Sequence, residues 1–272
     1  MHRLRDALKN DRSAITLDLA ALDLARVEFP GLDVEASLLR LDHFAGQVEA
    51  GLPPRASPLA FITTANTLLF EQLHFRGNED DYYDPRNSCL NAVLSRRLGI
   101  PISLSVVYIE IARRLARPVS GVGLPGHFIV VYEDAGSRYW VDPFHSGKIL
   151  SFSDCCAIAE KTGGADLRSH PEFLEPVSNR QILVRMLNNL KIIYLRGQAF
   201  DKARVVLDLL IDAMPTYAEG YRERGLVYLR QLNFRSAKAD LETFLHLDPD
   251  SKERADAEQQ LIQIERWKAH LN

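Results

Sequence analysis

Residues 85–144 decide the fold. They open PRNSCLNAVLSRRLGIPISLSVVYIEIARRL (85–115), pass through GVGLPGHFIVVY (121–132) and close with YWVDPF (139–144). The spacing predicts a helix over Ser103–Leu115, with Leu104, Val107, Tyr108, Ile111 and Leu115 on one apolar stripe. Ser103 is placed to cap it after the break at Pro101. Phe128–Tyr132 is β-branched and aromatic, and after an Asp-Ala-Gly-Ser turn Tyr139–Val141 forms its hairpin partner. His127 opens the first strand and Asp142 closes the second. Antiparallel pairing puts both at one end of the sheet, where a carboxylate can orient an imidazole.

A core helix followed by a His strand and an Asp strand resembles the papain-like transglutaminase core. GHFIVVY and YWVDPF match its two strand motifs. The stretch is similar above all to one bacterial family, the SirB-type transglutaminase-like proteins that carry TPR (tetratricopeptide) repeats. The residues that carry the likeness are Asn87-Ser88, Arg96 to Leu104, Gly123 to Phe128 and Val141 to Phe144. The resemblance implies an α+β, helix-rich papain/transglutaminase-like domain with a small antiparallel sheet, followed by all-α repeats. An active member of that superfamily needs a Cys at the start of the core helix, where the helix dipole and an imidazolium lower the thiol pKa. Here the helix start reads Gly-Ile-Pro-Ile-Ser-Leu-Ser. Ser103 or Ser105 stands at roughly the nucleophile position, and a hydroxyl depends far more on its base than a thiol does. Cys89, about ten residues earlier, reads as a small buried residue.

The chain is 272 residues long, enough for one large or two ordinary domains, and carries 33 basic and 36 acidic residues for a net charge of −3. That balance gives no reason to expect nucleic acid as a partner. Three cysteines, Cys89 and the vicinal Cys155-Cys156, do not make a disulfide framework and suit a reducing compartment. No other Cys or His stands at ligand spacing from the pair, so no metal and no cofactor is expected. The first fifteen residues lack a secretory apolar core, and no run of eighteen apolar residues occurs. The expectation is a soluble, cytoplasmic protein without membrane contact.

Residues 16–52 read as two helices broken at Phe29-Pro30-Gly31, the second capped by Asp33. Pro58–Phe75 reads as a third, and His43 and His74 read as surface or packing residues. These helices are expected to pack around the core within one domain, 1–165. Tyr82-Tyr83-Asp84-Pro85-Arg86-Asn87-Ser88 reads physically as a turn into the helix Leu90–Leu98. It can also line a groove, with Tyr83, Arg86 and Asn87 as cleft-binding groups, and the resemblance favours that reading. PVSGVGLPG (118–126) is a shaped connection presenting His127. His145 in the following loop is a further candidate, with Lys148 adding positive charge.

The segment 166–177, rich in Pro and Glu, reads as a linker. From residue 178 the pattern is helical with a period of 34, since Tyr194 and Tyr228, Ala203 and Ala237, Leu207 and Leu241, and Pro215 and Pro249 fall in register. Tyr221, Gly225 and Tyr228 occupy the large, small and aromatic positions of a TPR motif, and Lys191 replaces the glycine in the first repeat. Helices are predicted near 180–196, 200–213, 217–230 and 234–247. A capping helix from about 252 carries Leu261, Ile262, Ile264 and Trp267. Residues 178–272 thus form a TPR-like domain.

Three functional readings follow. One is a non-catalytic regulatory or interaction protein that holds a protein or peptide partner on its TPR face. The alternative is a hydrolase or acyl-transfer enzyme with Ser103 or Ser105 as nucleophile, His127 as base and Asp142 as orienter. A third reading is recognition without turnover by Tyr83, Asn87, His127 and Asp142. The oligomeric state is left open.

Overall fold

The computed structural model describes residues 2–9, 16–134 and 136–271. Two units are present: residues 16–134 with 136–186, and residues 2–9 with 187–271. Helix α1 (His2–Lys9) belongs to the second.

The first unit begins with α2 (Leu17–Ala25) and α3 (Val34–Gly51). Asp33 caps α3 by accepting the Ala36 N–H at 3.0 Å. Helix α4 (Pro58–Asn66) starts with Pro58 in its first turn behind the Ser57 cap, and continues as a π-helical turn over Thr67–Gln72. The single helix expected over Pro58–Phe75 therefore changes pitch midway and stops short of Phe75. A two-residue strand β1 (Arg76–Gly77) and a short 3-10 helix (Pro85–Ser88) lead to α5 (Leu90–Arg96). Strand β2 (Leu98–Gly99) pairs parallel with β1.

Helix α6 (Pro101–Arg114) is the predicted core helix, two residues earlier at its start. Its N-cap is Ile100 rather than Ser103. Pro101 sits at the first helical position, where its missing N–H costs nothing and its fixed φ suits the helix. All twelve residues from Pro101 to Ala112 are buried. The predicted stripe thus covers only part of the contact surface: α6 is enclosed on all sides, as a core helix is.

The sheet has five antiparallel strands in the order β6-β5-β4-β3-β7: β3 (Val119–Val122), β4 (Ile129–Asp134), β5 (Ser137–Asp142), β6 (Lys148–Leu150) and β7 (Pro176–Val177). The hairpin register places Val130 opposite Val141 and Tyr132 opposite Tyr139. Ile129, Val130, Val131 and Tyr132 are all buried, because both faces of β4 are covered. Helix α6 packs against β3 and β4. A separate cluster joins Val122, Ile129, Val131 and Leu150 to Cys155 and Ala159 of α7 (Phe152–Gly163). Cys155 and Cys156 thus lie in the first turns of a helix capped by Ser151 and Asp154. The 118–126 stretch, read as a connection, contains β3. The 166–177 stretch, read as a linker, holds a 3-10 turn (Pro171–Leu174) and β7, and its Leu167 and Leu174 are buried in the same cluster.

The second unit is all helical. The boundary falls within α8 (Asn179–Arg196), whose first turns to residue 186 belong to the first unit; after it come α9 (Phe200–Ala213), α10 (Ala218–Arg230), α11 (Phe234–Leu247) and α12 (Arg254–Leu271), each start within about two residues of its predicted place. Gly225 works as the motif requires: a Cβ there would stand 3.1 Å from the Leu241 side chain and 3.4 Å from the Ala237 carbonyl. Lys191, which stands where the first repeat lacks its glycine, is buried with its ammonium 2.7 Å from Glu223 and 3.1 Å from the Tyr217 hydroxyl. Arg224 bridges Asp208 of α9 and Asp240 of α11. On α12, Ile264 is buried and Trp267 packs on Phe234 at 5.0 Å, whereas Ile262, expected in the cap, is 54% exposed. Arg5 and Lys9 of α1 pair with Asp212 of α9. Among the described residues, no helix is long and apolar enough to cross a membrane.

Candidate functional site

The turn before β4 builds the site. Gly126 has φ +72°, and a Cβ there would run into the Thr162 carbonyl, so the turn needs glycine twice over. His127 N–H closes the turn on the Leu124 carbonyl at 3.1 Å. The His127 ring then reaches across the hairpin end, placing Nε2 2.8 Å from Asp142 Oδ2.

Asp142 ends β5 and caps the 3-10 helix Pro143–His145. Its Oδ1 accepts the backbone N–H groups of Phe144 (3.0 Å) and His145 (3.3 Å). That leaves Oδ2 for the imidazoles, and His145 Nδ1 also approaches it, at 2.7 Å. Asp142 and His127 are buried, while the His145 side chain is 53% exposed. Burial alone would raise the Asp142 carboxyl. The hydrogen bonds and charges of His127 and then His145 outweigh it and hold the group below the usual carboxylate range.

This cluster opens on a cavity of about 620 Å³ whose wall includes Tyr82, Pro101, His127, His145, Lys148 and Lys161. Pro101 brings the N-terminus of α6 to the wall. Neither Ser103 nor Ser105 lines it. Ser103 Oγ is spent on structure, accepting the Ile100 N–H at 3.0 Å and donating to the Asn87 carbonyl at 2.6 Å. Ser105 is fully buried within α6, and its Oγ has no hydrogen-bond partner among the described residues. The Thr162 hydroxyl, on the wall, is committed to the carbonyls of Pro125 and Ile158, both at 2.8 Å. Cys89 is buried beside the Pro85 carbonyl, and burial pushes the Cys155 thiol up to about 12.

The loop over residues 78–88 contributes differently from expectation. Asn87 is buried and structural: its Nδ2 donates to the Asp81 carbonyl at 2.7 Å and its Oδ1 accepts from Asn78 at 3.0 Å. Arg86 pairs with Asp84, which Arg96 also holds at 3.0 Å. Tyr83 is 53% exposed and off the wall; its neighbour Tyr82 takes that place, with its ring 6.5 Å from Phe144. Asn87 and Arg86 therefore fix the loop, and Tyr82 faces the cavity.

Arg185 of α8 gave no signal in the sequence. Its Nη2 donates to the carbonyls of Leu124 (3.0 Å) and His127 (2.6 Å), and its guanidinium lies 5.3 Å from the Phe128 ring centre. It thus clamps both ends of the turn that presents His127. Only its distance from the motif, 58 residues, hid it.

Residues 35–188 match the model of the transglutaminase-like superfamily, and residues 190–262 match a tetratricopeptide repeat model. A UPF0162 protein of Xylella fastidiosa (strain 9a5c) is 37% identical over 245 residues, covering 89% of this chain and 87% of its own. UPF0162 protein PA3419 of Pseudomonas aeruginosa is 31% identical over 90% of this chain and 89% of its own. Human F-box only protein 21 is 33% identical over 57% of this chain but only 25% of its own. With a superfamily match over more than half its length and a relative 37% identical over 89% of it, the chain belongs to the transglutaminase-like superfamily, in the bacterial UPF0162 family, and joins this domain to tetratricopeptide repeats.

Proposed function

We propose that this chain is a non-catalytic regulatory or interaction protein, in which a transglutaminase-like domain without a nucleophile accompanies a TPR platform for a protein or peptide partner. One observation carries the reading. Among the described residues, the cavity that the His127–Asp142 pair faces has no thiol and no uncommitted aliphatic hydroxyl on its wall. Without a thiol or hydroxyl for the imidazole to deprotonate, the pair has no group on which to form the covalent acyl-enzyme of transglutaminase-type transfer. Ser103 supports the reading further, because freeing its hydroxyl would strip the Ile100 N–H of its buried partner.

A serine-reactive fluorophosphonate tests this on the full chain. No labelling is expected over hours at pH 8, in the native protein or in His127→Ala. Stoichiometric labelling of Ser103 or Ser105 that disappears in His127→Ala would establish the hydrolase instead.

A further inference from the structure

Three donor atoms of three side chains converge at the hairpin end: His127 Nε2, Asp142 Oδ2 and His145 Nδ1, all within 4.8 Å of one another. Both nitrogens aim at the same carboxylate oxygen, at 2.8 and 2.7 Å. No Lys or Arg among the described residues pairs with that carboxylate. Lys148, the nearest candidate on β6, turns to Asp154 at 2.8 Å, and Arg185 is spent on backbone carbonyls. We infer that His127, Asp142 and His145 form a binding site for one divalent transition-metal ion, best matched by Zn²⁺.

The donor set has the chemistry for it. Two imidazoles and one carboxylate are a common three-ligand zinc set, with the fourth position left to water or a ligand. Asp142 is already oriented as a monodentate ligand, since its Oδ1 is held by two backbone N–H groups while Oδ2 points at the cluster. Such support from behind is what fixes a metal-binding carboxylate. The open position would face the cavity of about 620 Å³.

Two of the three donor separations are near those of a metal shell, while the third, between the two nitrogens, lies within 4.8 Å and must reach the same value of about 3.3 Å. A tetrahedral zinc shell separates its donors by about 3.3 Å, so the two contacts to Oδ2 must open by roughly 0.5 Å. His145 can supply that movement, because it is exposed and sits on a three-residue 3-10 helix. The protons balance without an outside base. Each neutral imidazole moves its proton to its other ring nitrogen, giving Nδ1–H on His127 and Nε2–H on His145, and Asp142 stays ionised. The cluster passes from net −1 to net +1. The inference stands apart from the non-catalytic reading, because metal binding is measured without turnover.

The test is calorimetric titration of Zn²⁺ into the chelator-treated full chain at pH 7.5, with Co²⁺ absorption as a second readout of the ligand shell. One equivalent of Zn²⁺ is expected, together with the visible d–d bands of a four- or five-coordinate Co²⁺ site. His145→Ala removes an exposed ligand, so its far-UV circular dichroism should match the native chain. It should weaken Zn²⁺ binding on the order of 100-fold or more, since loss of an outer-shell partner alone costs about 10–100-fold. A Cys155→Ser, Cys156→Ser double variant should bind as the native chain does. Failure to bind one equivalent, unchanged binding in His145→Ala, or loss of binding in the cysteine variant would each overturn the site.

Discussion

Replacing Arg114 by Met should loosen the helix that carries the cavity wall, and the size of the effect follows from what Arg114 holds. Its guanidinium lies 2.8 Å from Asp18 of α2, 2.9 Å from Glu110 of its own helix and 2.6 Å from Asp42 of α3. Asp18 and Glu110 are 2% and 0% exposed, whereas the Asp42 side chain is 58% exposed, so the first two decide the energy. Removing one partner from a buried ion pair costs about 3–5 kcal/mol, because it strands the other charge. Arg113 remains, 2.9 Å from Asp18 and 2.7 Å from Glu110, which argues for the lower end, about 3 kcal/mol. Burial and then the Asp18 charge already hold the Glu110 carboxyl above its ordinary value against the pull of Arg113, so the site has little reserve. With m near 2–3 kcal/mol/M, the urea midpoint of the first unit at pH 7 should fall by roughly 1–1.5 M. Adding Asp18→Asn and Glu110→Gln to Arg114→Met should recover at least half of the loss, since no buried carboxylate is left stranded and Arg113, 49% exposed, keeps its charge in water. An Arg114→Met midpoint within about 0.2 M of the native chain would refute the reasoning, by showing that the network is solvated.

Two smaller outcomes are expected. Ala237 is fully buried where α11 meets Gly225 of α10, so Ala237→Leu should overpack the contact and lower stability by about 1–3 kcal/mol; an unchanged melting temperature would argue against the repeat register. The folded Asp142 carboxyl titrates below its unfolded value of about 3.9, so its stabilisation is complete above that pH and disappears as pH falls through the lower folded value. Unfolding followed from pH 6 to pH 2 should show a weaker loss below about pH 4 in Asp142→Asn, and identical acid limbs would dismiss the linkage.

The repeats were legible because their signal is periodic. Small residues at fixed offsets report a helix–helix contact that the structure places between Gly225, Ala237 and Leu241. The hairpin was legible for a similar reason, since β-branched runs around a Gly turn leave one register. Its outer strands were not. Val119–Val122 lies among prolines and glycines that locally signal a loop, and Pro176–Val177 is two residues long. Pro176–Val177 exists as a strand because the distant edge of β3 supplies its hydrogen bonds, and no window of sequence contains that edge. Val119–Val122 pairs with nearby β4, and its glycines and prolines alone hid it. The core helix errs in the same direction. An amphipathic stripe describes one packed face, while α6 is packed by α2, α3 and α5 as well as by β3 and β4.

At the site, the pairing of His127 with Asp142 could be read from strand parity, but which residues act on the cavity could not. Tyr82 and Tyr83 are adjacent, and only the anchoring of the loop by Asn87 decides that Tyr82 faces inward. Ser103 shows the deeper reason. Position in sequence marks it as the residue near the helix start, where a nucleophile would stand. A hydroxyl three residues past the N-cap is also the group best placed to bond the N-cap N–H, and this one takes that role with Ile100. The two roles compete for one oxygen. In a buried site the capping role wins, because abandoning it leaves a backbone donor unpaired at a cost of about 1–3 kcal/mol before any chemistry begins. A residue type at the right spacing therefore does not by itself mark a nucleophile: the buried Ser103 oxygen gives its proton to the Asn87 carbonyl and one lone pair to the Ile100 N–H.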